Sequence, residues 1–306
     1  MVKKLALLFF VFLAIVSGQS FAKNKVVAVI LASNLDKFKV AYHELQKILQ
    51  DNKKDSSIQI ILSTPNPDPV SWANALKRAE GMEVDVIIAF GAPLAYTALR
   101  ERISVPLLYV DVYEKGILDA FKSNQMAGIY NVIPITTILK HLLAVKNIKT
   151  LHVLYCPLEK ESEIQAGKVK EIGIQEGIKV ILHPLKSAQS VSEIGVSSMD
   201  AIFLTSSVIL ELGANKIAQF AIEKEVPLVG ISETVTNAGG LMCVAPDPKT
   251  QGRLISNFLL NFIDKGFMKK SEQVKEVNFI INMKTAKRIN ITIPFTVLNN
   301  VTKVIR

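Results

Sequence analysis

One tryptophan, two cysteines and four histidines in 306 residues leave few of the side chains on which most catalytic and metal chemistry depends. Cys156 and Cys243 form no C-x-x-C pair, which excludes the metal and redox motifs built on that spacing. Each lies in or beside an apolar run and reads as a small buried thiol. A disulfide stays open, since bridging needs Cα atoms within about 7 Å. His43 and His141 fall on helical patterns, His152 and His183 in or beside strands. Scattered in this way they read as surface or locally satisfied histidines, not as a base or a ligand set. G-x-S-x-G, G-x-G-x-x-G and G-x-x-x-x-G-K-[ST] are all missing, so serine hydrolases, Rossmann dinucleotide sites and P-loops are excluded as readings. Glu159, Glu161 and Glu163 alternate with Lys160 and read as the solvated start of a helix. No metal, no cofactor and no enzyme activity are expected.

Long hydrophobic runs are also scarce. The one uninterrupted stretch, Leu5 to Val16, follows Lys3 and Lys4 and precedes Ser20-Phe21-Ala22. It is shorter than the roughly 20 residues of a membrane span, and it reads as a secretory signal peptide cleaved after Ala22. The expected location is the periplasm. Loss of the leader removes two lysines from a chain whose formal charge is +9. The remaining basic residues are scattered and not interleaved with aromatics, so no nucleic-acid partner is expected. They read as solvated helix faces.

The rest of the chain alternates two signals. Short apolar, β-branched runs recur at 25–32, 58–63, 84–91 and 105–112, separated by amphipathic stretches of helical length such as "LDKFKVAYHELQKILQD" at 35–51, whose Phe38, Ala41, Leu45, Ile48 and Leu49 share one stripe. Near-continuous apolar strands between helices predict a parallel sheet covered on both faces. The rhythm restarts at 150–157, passes through a helical pattern at 159–178, and continues through 179–185, 199–207, 209–225 and 226–232. Two such series predict two similar α/β lobes, with one long doubly wound sheet as the alternative. The crossovers are expected near 126–134, at Ala245-Pro246-Asp247-Pro248, and near 280. The lobes would then comprise 23–129 with about 247–280, and 130–246 with about 281–306.

In parallel α/β sheets ligands bind beyond the carboxyl ends of the strands. Those junctions are Ala32-Ser33-Asn34, Gly91-Ala92-Pro93, Asp111-Val112-Tyr113, Cys156-Pro157, Thr205-Ser206-Ser207 and Ser232-Glu233-Thr234. Small and hydroxyl residues there leave room for a guest and offer a few placed hydrogen bonds. Backbone N–H groups at the helix starts after Gly91 and Ser207 would attract an anion. The expected cleft residues are Ser33, Ala92, Pro93, Asp111, Tyr113, Asn131, Ser206, Ser207, Glu233 and Asp247. Tyr113 reads equally as a platform for a flat ligand or as an aromatic in lobe packing, and Trp72 as a core or rim residue.

Several segments resemble the ABC-transporter solute-binding proteins that include tryptophan- and phenylalanine-binding members. "DVIIAFGAPLAYTAL" is similar to that family's DxIxAxxTPAAxAL, "VPLLYVDV" to its IPVVF strand, "MDAIFLTSSV" to VDAIYVPTDN and "VPLVGISET" to IPVFGSDE. The longest match is "INMKTAKRINITIPFTVLNNVTKVI" to INLKTAKKLGITIPxSVLxxADEVI. The resemblance covers the whole chain after the leader. It implies the type I periplasmic-binding fold, two lobes joined by three crossovers, and a monomer that closes on a small solute and serves an ABC permease. A periplasmic ligand-binding partner of a membrane sensor kinase is the first alternative, and a periplasmic enzyme the second. The chain departs from the family at Ala92, where the family has a threonine, at Ser206, where it has an aspartate, and at Glu233, where it has an aspartate. The loss of an acid at 206 argues against an amino-acid solute, while Asp111, Glu233 and Asp247 could still supply negative charge to hold an α-amino group.

Overall fold

A computed structural model describes residues 24–54, 56–120, 125–132, 135–195 and 199–306. The leader expected over 1–22 and the end of the first expected crossover, 133–134, lie outside the described residues. Among the described residues no helix is long and apolar enough to cross a membrane.

Two sheets form. The first gathers β1 (Lys25–Leu31), β2 (Ile58–Ser63), β3 (Val86–Phe90), β4 (Leu107–Val112), β5 (Met126–Asn131) and the returning β11 (Glu272–Val274) in the order β11-β5-β4-β3-β1-β2, all parallel. The second gathers β6 (Thr150–Tyr155), β7 (Lys179–Pro184), β8 (Ala201–Leu204), β9 (Leu228–Gly230), β10 (Met242–Pro246), β12 (Val277–Asn282) and β13 (Lys303–Ile305) in the order β13-β12-β10-β9-β8-β6-β7. Within each series the order is second-first-third-fourth-fifth, the doubly wound arrangement with its switch point between the first and third strands. The expected pair of α/β lobes is therefore present. The third crossover falls at Lys275–Glu276, slightly before the expected 280, because Val277–Asn282 pairs with β10 in the second sheet, antiparallel to it.

The central strands VIIAF, LLYVDV and AIFL are buried at every position. Helices on both faces remove the alternation a half-exposed strand would show. In the first lobe the helices are α1 (Asp36–Asp51), α2 (Pro69–Gly81), α3 (Ala92–Glu101) and α4 (Lys115–Ala120). In the second they are α5 (Ile135–Val145), α6 (Lys160–Gln175), α7 (Val208–Glu211), α8 (Ala214–Glu223) and α9 (Glu233–Asn237). The single helix expected over 209–225 is broken at Leu212-Gly213. A long helix, α10 (Pro248–Lys265), then returns to the first lobe, and α11 (Met283–Arg288) and α12 (Phe295–Leu298) complete the second.

Local chemistry sets the helix starts. Asp68 accepts the N–H groups of Val70 and Ser71, with Pro69 at the first helical position. Asp247 accepts the N–H of Thr250 at 2.8 Å, again followed by proline. The helix α10 ends at Gly266, whose φ of 70° is left-handed. It lies so close to α1 that a Cβ on Gly252 would sit 2.3 Å from the Ala41 carbonyl oxygen.

A cleft closed by the chain's own charges

Both sheets present their strand ends to the same gap, and the residues there are held in detail. Gly91 turns the chain from β3 into α3 at φ 111°, and a Cβ there would lie 2.9 Å from Ala32 and 3.0 Å from the Phe38 ring. That position must be glycine, and it leaves backbone bare beside Ala92 and Pro93. Trp72 Nε1 donates to the Ala32 carbonyl at 2.9 Å, which ties the start of α2 to the end of β1. At the end of β4 the register slips between Tyr109 and Val112, and Asp111 adopts φ 58°. Aspartate tolerates that conformation better than most residues, and it aims the carboxylate into a buried network. Asn131 and Gln251 both donate to Asp111 Oδ1, at 3.3 and 3.2 Å.

The other Asp111 oxygen meets the Lys37 ammonium at 2.9 Å, and the same ammonium lies 3.0 Å from Glu211 of the second lobe. All three side chains are buried, with exposures of 7%, 3% and 0%. Ser232 adds a hydroxyl to Glu211 at 2.8 Å. Burial alone would lower the Lys37 pKa. The Asp111 and Glu211 carboxylates overcome it and raise the pKa above its ordinary value.

Farther along the gap, Glu161 of α6 accepts the backbone N–H groups of Tyr113 and Glu114 at 2.7 and 2.8 Å. Lys168, two turns on, reaches Glu114 at 2.6 Å. Tyr113 donates its hydroxyl to the Ile231 carbonyl at 3.3 Å and packs into the second lobe's core, while Val208 packs into the first lobe's. The two lobes are thus shut on one another.

Glu159 takes the N–H groups of Val208 and Ile209 and the Ser207 hydroxyl. The helix start after Ser207 does attract a carboxylate, and that carboxylate is the chain's own. Burial pushes the Glu159 carboxyl up to about 7 and Glu161 up to about 8, although their hydrogen-bond donors pull the other way. The reading of Glu159 and Glu161 as solvated is corrected here: both are buried and lie between the lobes. Glu163, exposed and paired with Lys160, is as expected.

Of the expected cleft residues, Ala92, Pro93, Asp111 and Ser206 line one small cavity together with Glu159 and Glu161. Its volume is about 10 Å³, room for a single water. Asn131 supports Asp111 from behind, Ser207 caps α7, and Tyr113 crosses between the lobes in its packing role. Ser33 is buried and accepts the Leu35 N–H. Glu233 pairs with Lys303 at 3.1 Å, and Asp247 caps α10; neither lines that cavity. Gln165 holds the Ser206 N–H at 2.8 Å, and its own amide nitrogen is buried without a partner. Sequence reasoning missed Lys37, Glu211 and Gln165. One signal existed for Lys37: a lysine in the first turn of a helix opposes the helix dipole, and a buried anionic partner explains it.

At the mouth of the gap lies a larger space of about 380 Å³. Pro69, Trp72, Pro93, Tyr96 and Leu99 of the first lobe face Leu158 and Lys160 of the second across it.

Both cysteines are free and buried, with thiols pushed up to about 11 and 12 by burial. His152 and His183 stack on each other within the second lobe, and His141 stacks on Phe279. Among the described residues no three metal-ligating side chains cluster.

The model of one family, described as ABC transporter substrate binding protein, matches residues 26–305. The chain belongs to that family. No curated protein matches it. Solved structures agree on the fold. A Streptococcus pneumoniae ABC domain in complex with L-Trp superposes with a TM-score of 0.85 at 19% identity, covering 92% of this chain and 100% of that one. A conserved domain protein of Vibrio cholerae gives 0.84 at 16% identity with the same coverage. The ligand-free, open structure of a substrate-binding protein with adhesive properties from Clostridium difficile gives 0.66 at 17% identity, covering 92% of this chain and 99% of that one. This family and fold are those of solute-binding proteins, and the type I periplasmic-binding architecture expected from the sequence is the one observed.

Proposed function

We propose that this chain is the solute-capturing component of an ABC import system. It is exported by a cleaved leader, works as a monomer in the periplasm, and presents its closed form to a membrane permease. The observation that carries the reading is the gap between the lobes. Strand ends of both sheets meet there, and charged groups from each lobe bond to the other. An arrangement of that kind has two states, and a solute touching both lobes favours the closed one. The better superposition on the L-Trp complex than on the ligand-free, open structure agrees with a closed form here.

The experiment is a thermal-shift screen of the mature protein against a broad metabolite library. A ligand that binds only the folded form stabilises it by about 2.7 kcal/mol at a hundredfold excess over Kd. The expected outcome is a clear rise in Tm with one class of small molecule. A flat response across the library would remove the reading.

A further inference from the structure

An ammonium has three N–H donors and no acceptor. The Lys37 ammonium meets three carboxylate oxygens, Asp111 Oδ2 at 2.9 Å and the two Glu211 oxygens at 3.0 and 3.2 Å. It also lies over the Phe38 ring, 5.1 Å from the centroid, a distance at which an aromatic face attracts a cation. Two carboxylates and an aromatic face, buried and drawn from both lobes, are the parts of a site for a primary amine. Here the amine is tethered, because Lys37 sits in the first turn of α1. A cation at that position opposes the helix dipole, so helix formation does not account for it.

The other acids near the strand ends leave an outside ammonium no equivalent place. Both oxygens of Glu159 are taken by three donors. Glu161 accepts two backbone N–H groups, and burial pushes its carboxyl up to about 8, which keeps it mostly protonated at neutral pH. Glu233 pairs with Lys303, and Asp247 caps α10. Asp111 lines the cavity between the lobes together with Ala92, Pro93 and Ser206. A solute entering at the strand ends therefore meets Asp111 with its charge already balanced.

Resting on the capture reading, we propose that Lys37 fills the ammonium place of the cleft, and that the solute held at the strand ends carries no ammonium of its own. Lys37 is then a specificity-determining residue. It makes the bridging contact between lobes that an amine solute would otherwise make, and it turns free amino acids away.

The test replaces the tethered amine with a free one. n-Propylammonium carries the atoms that Lys37→Ala removes. The mature parent and Lys37→Ala are titrated with n-propylammonium and with uncharged 1-propanol, and Tm and small-angle scattering are read. Lys37→Ala should be expanded and melt below the parent. n-Propylammonium should return it saturably to the compact form and raise its Tm, 1-propanol should do neither, and the parent should respond to neither. Adding Asp111→Asn and Glu211→Gln to Lys37→Ala should abolish the response. Absence of rescue, equal rescue by 1-propanol, or rescue that survives the neutralised acids would overturn the inference. A second measurement uses the parent alone and does not depend on how the variant folds. Free amino acids should leave its Tm unchanged. One that raises Tm while its α-hydroxy analogue does not has an ammonium bound in spite of Lys37; capture then stands and this inference falls. A rise in the parent's Tm with ammonium-free compounds alone upholds both. If nothing in the broad library raises Tm, capture falls, and the solute class with it.

Discussion

Lys37 holds its charge in a buried position between a carboxylate of each lobe. Removing one member of a buried ion group costs about 3–5 kcal/mol, because the remaining charge stays buried and unpaired. Here the partners belong to opposite lobes, so parting of the lobes would return the unpaired charge to water. Lys37→Met should lower Tm and expand the protein in small-angle scattering. Adding Asp111→Asn and Glu211→Gln should restore the compact form. A single variant as compact as the parent would show that the triplet does not hold the lobes. Glu161 makes a different prediction. Its carboxyl is pushed up to about 8 by burial between the lobes, while in an opened or unfolded chain it should titrate near its ordinary 4.5. The closed form therefore holds a proton that the open form has released, and closure is favoured at low pH. That advantage is lost as pH rises from about 4.5 through about 8, by up to one proton for this group. Scattering across that window should show progressive opening, and Glu161→Gln should flatten the profile. Lys37 gave one signal, its place in a first helical turn against the dipole, and Glu161 gave none. Glu161 sits in an acidic first turn, the ordinary place for a glutamate. Its partners are backbone N–H groups nearly fifty positions away, a pairing that no local pattern records.

Elements were more legible than sites. The runs at 84–91 and 105–112 announced central strands because burial on both faces suppresses alternation. The strand-end rule named Ala92, Pro93, Asp111 and Ser206, and the topology brings those junctions together around one small cavity. The same rule named Asp247, which caps α10 and does not line that cavity; the rule does not distinguish a capping carboxylate from a ligand contact. Asp247→Ala distinguishes them: loss of an N-cap costs about 1 kcal/mol, seen as a lower denaturation midpoint, with solute affinity unchanged. A loss of affinity would return Asp247 to the cleft. The contact between α10 and α1 gives an independent test of the packing. Gly252→Ala drives a methyl into the Ala41 carbonyl, where backbone cannot yield cheaply. It should destabilise the first lobe by about 1–3 kcal/mol, measured by chemical unfolding.

At the scale of the whole molecule, the sequence carried the duplication of lobes because the strand–helix rhythm restarts at 150. It did not carry the relation between them, which depends on side chains crossing a gap. Capture as proposed here depends on the lobes closing on a solute. Spin labels at Val70→Cys on the first lobe and Ile174→Cys on the second test it directly, since both positions are exposed and both native thiols are buried. With the stabilising solute present, the inter-label distance should collapse to one narrow distribution. Without it, particularly above pH 8, a longer population should appear. Identical distributions in both conditions would contradict the claim.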